Sequence, residues 1–157
     1  MIKEEYMRRA IELAKRATGF TNPNPLVGVV IVKEDRIIGE GYHEKCGQLH
    51  AERNAFASLK ESAEGATLYV TLEPCCMCAG AITGAQIPRV VYGAKDPKMG
   101  AGGSLVNLLC LPGCFRPAVT TGVLEEECQA LLQTFFRSLR ERKKLLREST
   151  RGEEFEL

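Results

Sequence analysis

The sequence predicts an α/β fold, a three-layer α/β/α sandwich around a five-stranded mixed sheet. Three observations carry that expectation. Short apolar runs alternate with segments whose apolar residues recur at helical spacing. The first two of those runs are joined as a hairpin by Lys33-Glu34-Asp35 alone. A length of 157 residues suits one domain with room for a core. Residues 1–148 are expected to form it, with 149–157 a flexible C-terminal tail.

The elements follow in order. Tyr6, Met7, Ala10, Ile11, Leu13, Ala14 and Ala17 share one helical face, so Glu4–Ala17 reads as a helix that stops near Gly19. Thr21-Asn22-Pro23-Asn24-Pro25 is a loop, because two prolines bar a helix there. Leu26–Val32 is apolar on both faces and hence a central strand, and Arg36–Tyr42 is its hairpin partner. A loop to Leu49 leads into a helix over Ala51–Leu59. Ala66–Thr71 is a buried strand, Cys76–Ala85 a helix, and Arg89–Tyr92 a fourth strand. Gly93–Gly103 is a glycine-rich loop, Ser104–Leu109 a short helix and Ala118–Thr121 the fifth strand. A long helix closes the order, from Leu124 to about Arg147.

Composition excludes some classes. Lys and Arg number 21 against 20 for Asp and Glu, so any nucleic-acid surface must be local. The charged start Met1-Ile2-Lys3-Glu4-Glu5 lacks the apolar core of a signal peptide, and no apolar run is long enough to span a membrane. A soluble cytoplasmic protein is expected, its seven cysteines reduced or bound to metal.

Chemistry concentrates in His50-Ala51-Glu52 and Pro74-Cys75-Cys76-Met77-Cys78. Cys75 and Cys78, three positions apart at a helix start, can both reach one metal, and the helix N-terminus favours their ionised form. His50 completes a three-ligand set, which leaves a tetrahedral zinc ion one open position, as catalytic sites have. Glu52 lies two positions from His50 and so off its face, poorly placed as a ligand and better placed to exchange protons with a water. A structural zinc knuckle would want a fourth ligand and has no use for Glu52.

The His-Ala-Glu and Pro-Cys-x-x-Cys pattern resembles the zinc-dependent nucleobase deaminases. The resemblance implies a cytidine deaminase-like fold, one Zn²⁺ per chain at His50, Cys75 and Cys78, and Glu52 as the catalytic acid and base. Its two halves point to two families. Asn24-Pro25-Leu26-Val27-Gly28, Gly39-Glu40-Gly41-Tyr42-His43 and Gly65–Cys75 look like riboflavin-biosynthesis deaminase domains. Cys75–Ala81, Gly93–Ala101, Gly103-Ser104-Leu105, Gly122-Val123-Leu124 and Phe135-Phe136-Arg137 look like bacterial tRNA adenosine deaminases. The longer insertion between the two cysteines of the riboflavin type is missing. His43 stands where the tRNA type usually has an asparagine.

The tRNA resemblance implies hydrolytic conversion of adenosine to inosine in a tRNA anticodon loop, by a homodimer. Phe135, Phe136, Arg137 and Arg140 offer the aromatic surface and cations with which RNA loops are held. The same helix carries a stripe from Leu124 to Leu146 that makes at least one phenylalanine a core residue. Asn24, His43 and Ala51 are further candidate substrate contacts, and Asp96 and Lys98 are candidates on the glycine-rich loop. Each has a plainer reading, Asn24 as a turn residue before Pro25 and His43 as an exposed loop histidine. Cys110, Cys114 and Cys128 read as loop and core thiols rather than a second metal site. The alternative activity is deamination of a small aminopyrimidine, as the first half implies. A non-catalytic RNA-binding subunit is the third reading, and an intact Glu52 argues against it.

Overall fold

The computed structural model describes residues 1–155. Its five strands run in the order β2-β1-β3-β4-β5. β1 (Gly28–Lys33) pairs antiparallel with β2 (Arg36–Tyr42) and with β3 (Thr67–Leu72). β4 (Arg89–Ala94) then joins β3 in parallel, and β5 (Ala118–Thr121) joins β4 in parallel. The sheet is mixed because the β1–β2 link is a tight turn, whereas a helix carries the chain back between β3 and β4.

Each face of the sheet is covered. α2 (Ala51–Ala57) and α3 (Cys76–Gly84) place Ala51, Ala55, Ala79 and Ile82 against Val29, Ile31, Leu68, Val70 and Val90. On the other face α1 (Glu4–Lys15) packs Tyr6, Met7, Ala10 and Ile11 against Val30, Tyr69 and Val91. α4 (Glu125–Phe155) adds Cys128 to that cluster. β1, β3 and β4 are therefore apolar on both sides, as the unbroken apolar run Leu26–Val32 leads one to expect. Helix α2 lies close on β2 because Gly41 has no side chain; a Cβ there would overlap the Ala51 carbonyl and the Ala55 amide.

Two elements differ from the sequence expectation. Ser104–Leu109 is not a helix; only a 3₁₀ turn forms, over Leu108–Cys110. The amide that would close the first helical turn is engaged elsewhere: Leu108 N–H binds the Ala101 carbonyl rather than that of Ser104. α4, for its part, continues past Arg147 to Phe155, so the expected tail is helical there. Its last turns are rich in Leu, Arg, Lys and Glu, which favour the helix, and no glycine interrupts them before Gly152. Residues 156–157 of the expected tail lie outside the described residues.

Candidate active site

The site forms where β3 and the loop after β2 deliver their ends to the starts of α3 and α2. Cys75 is the N-cap of α3 and His50 the N-cap of α2, both in extended backbone conformation. This turns both side chains toward one point. His50 Nδ1 lies 3.6 Å from Cys75 Sγ and 3.5 Å from Cys78 Sγ, and the three donor atoms sit within 4.8 Å of one another. A tetrahedral zinc ion with Zn–S about 2.3 Å and Zn–N about 2.0 Å requires N···S edges of roughly 3.6 Å. The donor set therefore fits zinc in both chemistry and spacing. No other His, Cys, Asp or Glu group of this kind occurs among the described residues. Cys110 and Cys114 are exposed, and Cys128 is buried under Gly93.

Without a metal, the two thiols sit in unlike surroundings. Cys75 is lowered to about 5, first by the hydrogen bond from Cys78 and further by the amides of Cys78 and Met77 and the nearby His50. Cys78 is pushed up by that same bond, by burial and by the neighbouring Glu52. Glu52 is buried, with Oε2 3.2 Å from Cys78 Sγ, and burial pushes its carboxyl up. A carboxyl whose proton is held more firmly than in water suits acid–base work.

A cavity of about 280 Å³ opens beside these groups, lined by Asn24, His43, Ala51, Glu52, Asp96 and Met99 among others. His43 is buried and hydrogen-bonded at both ring nitrogens. Its Nδ1 is 3.0 Å from the Leu49 carbonyl, which can only accept, so Nδ1 carries the proton. Nε2 then accepts from Asn24 Nδ2 at 3.3 Å. The exposed-loop reading of His43 is thereby corrected; the loop over 44–49 folds across the ring and its Leu49 carbonyl holds it.

The remaining sequence candidates divide. Lys98, Phe136, Arg137 and Arg140 line a second groove, between the loop after β4 and α4, together with Lys143 and Leu132. That loop is common to both hollows: Asp96 and Met99 face the cavity, Lys98 the groove. Phe135 is turned away. It is half-buried against Ala14, Ala17 and Leu26, one position from Phe136 and so on another side of the helix. Of the two adjacent rings, Phe136 is the exposed one and Phe135 the packed one.

The motifs do not point to Glu73 or Met99, although both line the cavity. Glu73 is buried at the end of β3, and burial works to raise its carboxyl. The Ser104 hydroxyl and the N–H groups of Asp96, Ser104 and Gly102 outweigh that effect and hold it below the usual carboxylate range. An acid between an apolar strand and a metal-ligand turn was the available signal.

Residues 1–94 match the cytidine and deoxycytidylate deaminase zinc-binding region. The riboflavin biosynthesis protein RibD of Actinobacillus pleuropneumoniae is 50% identical over 138 residues, covering 84% of this chain but 36% of that protein. The chain thus spans just over a third of that relative's length. The tRNA-specific adenosine deaminase of Bacillus subtilis is 42% identical over 156 residues, covering 93% of this chain and 96% of that protein. A solved structure from a study of A-to-I editing by tRNA:A34 deaminases superposes with a TM-score of 0.71 at 34% identity, covering 83% of this chain and 100% of that one. With Glu52 and the His50, Cys75 and Cys78 group that could hold a metal inside the matched region, the chain belongs to the cytidine and deoxycytidylate deaminase zinc-binding family.

Proposed function

We propose that the protein deaminates adenosine to inosine in the anticodon loop of tRNA. The observation that carries this reading is the groove beside the cavity, where Lys98, Arg137, Arg140 and Lys143 surround the exposed ring of Phe136. Cations around an aromatic platform suit a single-stranded loop, whose backbone needs neutralising and whose bases need a surface to stack on. One loop forms a wall of both hollows, so a strand seated in the groove runs close to the cavity mouth. Likeness to the B. subtilis tRNA deaminase covers 93% of this chain.

His50, Cys75 and Cys78 would hold a zinc ion, which would supply Lewis-acid lowering of a water's pKa from about 16 toward about 7. Glu52 would take a proton from the attacking water, give it to the ring nitrogen and then pass one to the departing amine, so that one water and one ring amine become a ring carbonyl and ammonia. Asn24, oriented by His43, holds the base edge through its free Oδ1, and the apolar side chains Ala51, Val27 and Leu72 exclude other water from the cavity. A loop adenine has little stacking to lose on entering. A cytoplasmic location, where the RNA is, belongs to this reading, as does the homodimer that the resemblance implies, which a native mass measurement tests.

A second reading has its own support. The Asn24–His43 pair faces the cavity, and the RibD relative, a riboflavin biosynthesis protein, is the more identical of the two. On this reading the substrate is a small aminopyrimidine. Ammonia release measured side by side on an anticodon stem-loop RNA and on a diaminopyrimidine phosphate separates them. Release from the RNA alone is the expected result; release from the pyrimidine alone overturns the tRNA proposal.

A further inference from the structure

Glu73 uses all of its hydrogen-bonding capacity on one loop. Its Oε1 accepts the N–H groups of Gly102 at 2.9 Å and Ser104 at 3.0 Å. Its Oε2 accepts the N–H of Asp96 at 2.9 Å and the Ser104 hydroxyl. Two carboxylate oxygens offer about four acceptor sites, and these four donors fill them. Nothing is left over for a substrate, although the side chain lies in the cavity wall.

The donors come from the two ends of the segment Asp96–Ser104, so one carboxylate closes it like a clasp. The middle is tied to the metal-ligand turn as well. Ala101 N–H reaches the Pro74 carbonyl at 2.8 Å, and Gly100 forms a bridge with Cys75. Gly100 is fitted to this arrangement, since a Cβ there would overlap both the Glu73 carboxylate and the Asp96 carbonyl. Asp96 and Met99, which the segment carries, form part of the cavity wall.

We propose that Glu73 is a positioning residue for the deaminase reaction, holding the Asp96–Ser104 loop, and with it Asp96 and Met99, in register with Cys75 and Cys78. Glu73 touches neither substrate nor metal; it acts through the loop. A glutamine at this position keeps the size but replaces one acceptor oxygen by an N–H₂ group that faces donors.

The experiment is backbone hydrogen exchange and steady-state kinetics on the zinc-loaded protein. In Glu73→Gln the amides of Asp96, Gly102 and Ser104 should exchange about tenfold faster or more, the scale set by losing bonds to a charged acceptor. The amides of β3 and β4 should keep their protection, and zinc should stay at one per chain. Ammonia release should show KM raised about tenfold with kcat changed less, as expected when binding geometry rather than chemistry is lost. The choice of RNA as substrate rests on the tRNA reading, but exchange needs no substrate. Wild-type protein inactive on RNA therefore counts against that reading alone. Unchanged protection at the three amides overturns the positioning role. So does acceleration that spreads through β3 and β4 with loss of zinc, which would make Glu73 a residue of the fold. If Glu73→Gln does not fold, Ser104→Ala removes one of the four bonds and should speed exchange at Asp96 by about threefold; no change there overturns the proposal equally.

Discussion

Asn24 donates its side-chain amide to Nε2 of His43 across 3.3 Å, and this one bond orients both groups. Because Nδ1 of His43 is committed to the Leu49 carbonyl, Nε2 must accept, so Asn24 presents Nδ2 to the ring and keeps Oδ1 as its unused acceptor. Asn24→Ala should lower kcat/KM by about 1–3 kcal/mol, the cost of leaving a buried polar partner unpaired. Asn24→Asp should be at least as damaging, since a carboxylate cannot donate to Nε2. Measuring both variants on the RNA and the pyrimidine shows which substrate the pair reads; equal, near-normal rates on both would remove the pair from recognition.

Zinc content should follow the geometry of the donor set. Cys75→Ser and Cys78→Ser are expected to lose most of their metal, because a three-ligand site has no spare donor. Cys110→Ser and Cys114→Ser should keep one zinc per chain, as both thiols are exposed and apart from the site. Elemental analysis of the four purified variants checks this, and zinc missing from the second pair would mean the ligands are misassigned.

Glu52 should separate binding from chemistry. It lies against Cys78 without belonging to the donor set, so Glu52→Gln should retain zinc and fold. Its rate should fall by at least about a hundredfold, the lower range for positioned proton transfer. A variant with full zinc and near-normal turnover would sink the proton-carrier role.

The two rings on α4 should part company. Phe135→Ala should destabilise by roughly 2 kcal/mol, about half the fully buried cost, because this ring packs against Ala14, Ala17 and Leu26. Phe136→Ala should leave the melting temperature nearly unchanged and weaken RNA binding by about 1–3 kcal/mol if a base stacks there. Truncation after Leu139 removes Arg140, Arg142, Lys143, Lys144, Arg147 and Arg151. For each phosphate that these side chains no longer neutralise, the slope of log affinity on log salt should flatten by about 0.7. An unchanged slope would take the helix out of RNA docking.

Acid stability should depend on the Arg9–Glu40 pair, which joins α1 to β2 through hydrogen bonds of 2.7 Å and 3.1 Å. The Arg9 guanidinium holds the Glu40 carboxyl below its ordinary value of 4.5. A depressed carboxylate stabilises the fold fully above that ordinary value, and the contribution disappears as pH falls through the folded value. Glu40→Gln should therefore melt lower than wild type at neutral pH, by no more than about 1 kcal/mol for a pair this exposed. The gap should narrow below about pH 4.5. A gap that widens in acid would contradict the assignment.

The sequence by itself determined the features that depend on local pattern. Unbroken apolar runs mark β1, β3 and β4, because strands covered on both faces leave no place for alternation. Cys75 and Cys78 were legible as candidate metal donors because a helix start brings positions three apart to one side. Tertiary structure decided whatever depends on partners far along the chain. Glu73 binds amides 23 to 31 residues away, and Leu108 N–H is drawn to the Ala101 carbonyl, so no helical turn closes on Ser104. Which nitrogen of His50 faces the thiols and which ring of Phe135-Phe136 is packed likewise depend on where neighbouring elements come to rest. Helical periodicity puts Phe135 and Phe136 about 100° apart, but only the position of α1 decides which of those directions is the core.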